Sequence, residues 1–144
     1  MPMVFGRRVA AYAALGALVV ATAAAANSAT TPGIYSTTQA AAGSKVFEAN
    51  CASCHGENLE GGAGPALSGQ NLKTLAKNTK LTVSQMYTFF SQEMPLNNPG
   101  SLTSAQYLSI MAYILKFNGY PSGSGALTST SIKKATMIIT SLKS

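Results

Sequence analysis

The sequence predicts an all-α domain of three main helices joined by loops, and three observations predict it. Three segments open with a Ser/Thr-x-x-Gln signature, in which the first side chain caps a helix and the Gln reaches back towards the preceding backbone. Two of them then carry apolar residues at i, i+3, i+4 and i+7, the spacing of one helical face. Outside the tail, no stretch alternates apolar and polar residues as a half-buried strand would.

In chain order, residues 27–37, with Pro32, Gly33 and several Ser and Thr, read as a linker. Ser36-Thr37-Thr38-Gln39 opens the first helix, which runs to about Asn50. Gly56 to Gly69 is glycine-rich around Pro65 and reads as loop, followed by a short helix around Asn71–Lys77. Thr82-Val83-Ser84-Gln85 opens the second main helix, with Leu81 and Met86 placed as a hydrophobic staple and Val83, Met86, Tyr87 and Phe90 along one face. Residues 94–101 hold Pro95, Pro99 and Gly100 and form a second loop. Thr103-Ser104-Ala105-Gln106 opens the third, with Leu102 and Tyr107 as the staple and Tyr107, Ile110, Met111 and Ile114 on one face; Asn118-Gly119 and Pro121 stop it. The tail after Gly125 spaces Ile132, Ala135, Ile138, Ile139 and Leu142 as a short amphipathic helix would, against which its β-branched residues count.

The chain has 144 residues, enough for one small domain. Its start is read as separate from that domain. Arg7 and Arg8 precede an apolar, alanine-rich run from Val9 to about Ala26, ending in Ala24-Ala25-Ala26. A positive start, an apolar stretch and a small-residue cleavage site make a secretory signal peptide over residues 1–26; the competing reading is a retained membrane anchor. The formal charge is +6, and loss of Arg7 and Arg8 takes it to +4. There is no dense Lys/Arg run with interleaved aromatics, so nucleic acid is not an expected partner.

Two cysteines, three apart, and a single histidine are the only soft ligands besides methionine. They stand together as Cys51-Ala52-Ser53-Cys54-His55, the attachment signal for c-type haem. Residues i and i+3 share a helical face, so both thiols can reach the two vinyl edges of one porphyrin while His55 turns an imidazole nitrogen to the iron. A redox dithiol would want a βαβ setting, and zinc would want further Cys or His ligands; neither is present in the sequence. A second axial ligand must come from elsewhere. Met94 is the candidate, because Pro95 biases it to extended backbone in a loop, whereas Met86 and Met111 belong to apolar helical stripes and read as core. Two ionised haem propionates would bring the processed chain to +2.

With these residues in order, the stretch 38–120 resembles a class I cytochrome c: a first helix ending in Cys-Ala-Ser-Cys-His, then Gly-Pro-Ala-Leu, a Met-Pro loop and a closing aromatic helix. The resemblance implies the class I fold around one covalent haem c and its iron, with residues 121–144 as a C-terminal extension. It implies that Gly43 and Phe47 cross Ile110 and Tyr113, and that the Pro65 carbonyl accepts a hydrogen bond from the other nitrogen of His55. Leu67, Tyr87, Phe90 and Leu96 are expected to line the haem pocket. A narrower likeness, over Met94 to Leu102, Tyr107 to Tyr113 and Asn118 to Pro121, is to cytochrome domains that serve quinoprotein alcohol dehydrogenases.

The expected function is one-electron transfer in the periplasm, probed against two alternatives: a peroxidase or gas-binding haem protein with an open sixth site, and a structural haem subunit of a dehydrogenase complex. A filled His/Met site favours the carrier, and no ordinary catalytic residue is expected. Partners would be redox proteins such as a quinoprotein dehydrogenase or an oxidase. Lys73, Lys77 and Lys80, at i, i+4 and i+7, are either a docking patch for an acidic surface or a solvated helix face. An uncleaved leader or the tail would be the route to any membrane association.

Overall fold

Ser36 starts the first helix as its sequence requires: its hydroxyl accepts from the Gln39 N–H at 3.2 Å, and α1 then runs Thr37–Asn50. The computed structural model describes residues 33–136 together with Met1 and Ile139. The expected leader and most of the linker lie outside the described residues, as do Met137, Ile138 and Leu142. The remaining elements are α2 (Ala52–His55), α3 (Gly69–Thr79), α4 (Val83–Glu93), α5 (Ser104–Phe117) and α6 (Ser129–Lys133). No strand is present among the described residues.

The Ser/Thr-x-x-Gln signatures differ in outcome. At Thr82 and Thr103 both halves of the box form, the Gln85 and Gln106 side chains returning to the capping residue's N–H at 2.9 and 2.8 Å. At Ser36 only the first half forms. The Gln39 amide instead donates to the Leu127 carbonyl at 2.8 Å and accepts from the Leu127 N–H at 2.7 Å. Its side chain is used for tertiary structure, which a local signature cannot anticipate. The expected short helix around 71–77 is a helix of three turns, α3, burying Leu72 and Ala76 one turn apart.

The core forms where α1 crosses α5. Gly43 makes the crossing close: a Cβ there would collide with the backbone carbonyl of Ser109, so only glycine lets the two helices meet. Phe47 packs on Tyr113 with ring centroids 5.4 Å apart, a tilted arrangement that suits the ring quadrupoles. Both contacts match the expected crossing.

The tail closes back onto this core. Tyr35 donates to the Tyr120 carbonyl at 2.5 Å, and the Gly123 N–H donates to the Tyr35 carbonyl at 2.7 Å. Further on, Ser84 N–H donates to Ala135 O, Ile139 N–H to Leu81 O and the Tyr120 hydroxyl to Ile139 O. Leu127, Ile132, Ala135 and Ile139 are buried. The described part of the tail is thus an internal strap across α1, α4 and the end of α5. No helix among the described residues is long and apolar enough to cross a membrane.

Candidate functional site

Cys51 ends α1, and its carbonyl accepts from the N–H groups of Cys54 and His55, which tightens the chain into the single turn of α2. That turn presents Cys51, Cys54 and His55 to one cavity of about 530 Å³. Both thiols are free; Cys51 is half-buried and Cys54 exposed. Burial, and then the neighbouring Cys54, push the Cys51 thiol up to about 11, a shift that thioether formation would abolish.

His55 is the one buried polar residue among those described. The following loop folds back over it, with Gly61 N–H donating to His55 O and Gly64 N–H to Cys54 O, both at 2.8 Å. This sets the Pro65 carbonyl 2.8 Å from His55 Nδ1. A carbonyl only accepts, so Nδ1 carries a proton, and in the neutral tautomer that leaves Nε2 as the nitrogen with a lone pair for a metal. Such a bond fixes the ring's tautomer and raises its basicity towards a metal. Gly64 lies against the ring face: a Cβ there would stand 2.8 Å from Cε1 and 2.9 Å from Nδ1.

Met94 caps the C-terminus of α4 with extended backbone (φ −121°, ψ 151°), as a residue before proline should. It is half-buried and lines the same cavity as His55. Apolar wall comes from Phe47, Leu67, Phe90, Leu102 and Ile110, with Leu96 on the wall and 79% exposed. Tyr87 is a correction: it is half-buried but off the wall, because it sits one turn before Phe90 and two before Met94, away from the end of α4 that meets the cavity.

Two residues read from sequence as a helix stop (Asn118) and as staple and helix face (Tyr107) turn out to hold the site together. The Tyr107 hydroxyl donates to the Met94 carbonyl and accepts from the Leu102 N–H. Asn118 donates to Leu67 O at 3.0 Å and accepts from Gly69 N–H at 3.2 Å, tying the end of α5 to the loop beside the cavity. Neither long-range bond has a local sequence signal.

A cavity of several hundred cubic ångströms with an apolar lining is the usual form of a cofactor site. Here it carries two free thiols at i and i+3, an imidazole whose Nδ1 is engaged by the Pro65 carbonyl and a thioether. That donor set fits an iron porphyrin attached through thioether bonds. A family model described as Cytochrome C oxidase, cbb3-type, subunit III matches residues 38–114, just over half of the chain. The chain belongs to this cytochrome c family. The cytochrome accordingly carries covalently bound haem c with its iron, and Cys51-x-x-Cys54-His55 is the matching attachment string.

Relatives agree over shorter stretches. The cytochrome is 64% identical over 33 residues to a menaquinol:cytochrome c reductase cytochrome c subunit of Geobacillus thermodenitrificans, covering 22% of this chain and 13% of that one. It is 70% identical over 23 residues to a cytochrome c-552 of Schinkia azotoformans, covering 16% of this chain and 43% of that one. A chain of the sulfane dehydrogenase SoxCD crystal structure from Paracoccus pantotrophus shares 25% identity with a TM-score of 0.52, covering 69% of this chain and 52% of that one. The cytochrome spans less than two thirds of each.

Proposed function

We propose that this cytochrome is a one-electron carrier in which His55 and Met94 would hold the haem iron. The observation that carries the reading is that the His55 imidazole and the Met94 side chain line one cavity together with both attachment thiols. When bound, the haem supplies the Fe(III)/Fe(II) couple. The chain's own residues set the conditions. Cys51 and Cys54 retain the group, and the Pro65 carbonyl keeps the His55 Nε2 lone pair available. As second ligand, Met94 would favour a raised potential and leave no open position for a substrate. Phe47, Phe90 and Ile110 keep water from the site.

The cytochrome works in the periplasm, exported by the leader over residues 1–26. Residues 38–120 form the cytochrome unit, and the described part of the extension 121–144 serves it as a brace. Partners are other redox proteins. The names of the Geobacillus and Paracoccus relatives support a place beside a quinol-oxidising complex or a dehydrogenase, and the Met94–Leu102 likeness favours a quinoprotein dehydrogenase as donor, with an oxidase as acceptor. Lys73 and Lys77 lie one turn apart on α3, with Lys80 at its C-cap, and supply a basic patch for an acidic partner.

Voltammetry of the haem-loaded protein, with and without hydrogen peroxide, tests the reading. A reversible one-electron wave that peroxide leaves unchanged is expected. A catalytic wave with peroxide would replace the carrier by a peroxidase.

A further inference from the structure

Tyr107 is in the first turn of α5 and buried, and its ring forms part of the cavity wall. Its hydroxyl donates to the Met94 carbonyl at 2.5 Å and accepts from the Leu102 N–H at 3.3 Å. Met94 and Leu102 are the two ends of the loop between α4 and α5. One hydroxyl therefore closes that loop at its root, using both its donor and an acceptor site.

The rest of the Met94 backbone is held more weakly. Its N–H donates to Phe90 O at 3.2 Å, and Gly100 N–H adds a second bond to Met94 O at 3.3 Å. A methionine side chain is unbranched and flexible, so the reach of its sulfur depends on where its backbone is fixed. The shortest bond fixing that backbone comes from Tyr107.

We infer that Tyr107 is the positioning residue for Met94: its hydroxyl pins the Met94 carbonyl so that the thioether stays directed into the cavity. The inference rests on the reading of Met94 as an iron ligand. It assigns the Tyr107 hydroxyl a role distinct from that of its ring, which serves as wall and as staple for the start of α5.

Tyr107→Phe separates the two, since it keeps the ring and removes only the hydroxyl. Tyr35→Phe is the matched control. It too deletes a buried hydroxyl that donates to a backbone carbonyl at 2.5 Å, that of Tyr120, but Tyr35 does not line the cavity. Haem-loaded wild type, both variants and Met94→Ala are compared by the methionine–Fe(III) charge-transfer band of the oxidised form and by carbon monoxide binding to the reduced form. Losing one such bond should raise the fraction of molecules with Met94 detached roughly fivefold to tenfold in Tyr107→Phe. Tyr35→Phe should lower the thermal midpoint without changing band or binding. If Met94→Ala loses the band while Tyr107→Phe matches wild type, or if Tyr35→Phe shifts the band as far as Tyr107→Phe, the positioning role is refuted and the ligand stands. If Met94→Ala keeps the band and excludes carbon monoxide, the ligand reading fails and the positioning role falls with it.

Discussion

Gln39→Ala tests how far the tail belongs to the cytochrome fold. The Gln39 side chain makes two hydrogen bonds to the Leu127 backbone, at 2.8 and 2.7 Å. The cap of α1 is separate, since Ser36 accepts from the backbone N–H of residue 39, which alanine retains. The substitution therefore cuts the tether and leaves the helix start intact. Leu127 is buried, and its N–H and C=O would both lose their partner. Each lost bond costs about 1 kcal/mol, so the total is about 2 kcal/mol. For a domain near 100 residues that lowers the thermal midpoint by roughly 8–12 °C. Gln39→Glu keeps an acceptor for the Leu127 N–H but sets a carboxylate oxygen beside the Leu127 carbonyl, so it should recover none of the loss at neutral pH. Thermal unfolding followed by circular dichroism, on haem-loaded protein, reads both. A Gln39→Ala midpoint within 2 °C of wild type, a margin set by about 0.4 kcal/mol on the same scale, would show that the strap contributes nothing through this contact.

Three more outcomes follow from the packing. Gly43→Ala drives a Cβ, fixed directly to the α1 backbone, into the backbone carbonyl of Ser109 on α5; it should cost about 2–3 kcal/mol, read by denaturant unfolding. Gly64→Ala places a Cβ 2.8 Å from a ring that is itself bonded to Pro65; it should tilt the imidazole and shift the reduction potential, and an unshifted potential would mean that the loop gives way instead. Burial raises the Tyr35 and Tyr120 phenols above their ordinary value of about 10. The folded state therefore resists their ionisation. Their contribution is complete below about pH 10 and is lost as pH climbs from there towards the folded values. Stability measured from pH 9 to 12 should fall, and Tyr120→Phe should make the fall shallower.

The helices were legible where local chemistry decides them. Thr82 and Thr103 each have a Gln three residues on and an apolar face behind it, and both boxes close. Ser36 has the same letters, yet Gln39 turns to Leu127, 88 residues away, which no local pattern encodes. Ile132 and Ala135 could be read as apolar spacing in the tail but not as core, because what they cover, near the start of α4, is fixed only by the fold. At the site, Cys51, Cys54 and His55 were visible because haem attachment demands those residue types at that spacing, and Met94 stood out as a candidate because Pro95 takes it off any helical stripe. Tyr107 was visible as a staple and as part of an apolar helix face but not as a partner of Met94, since its hydroxyl acts on a carbonyl 13 residues back. Tyr87 was misplaced because its helical stripe specifies a face and not how far along α4 the cavity reaches.

The most direct test of the central claim is the absorption spectrum of the haem-loaded cytochrome, oxidised and reduced, with carbon monoxide added to the reduced form, for wild type beside Met94→Ala. An iron closed by His55 and Met94 predicts a low-spin wild type that carbon monoxide leaves unmoved and a Met94→Ala variant that binds it. A high-spin wild type that shifts with carbon monoxide would contradict the account and open the iron to peroxide or gas chemistry.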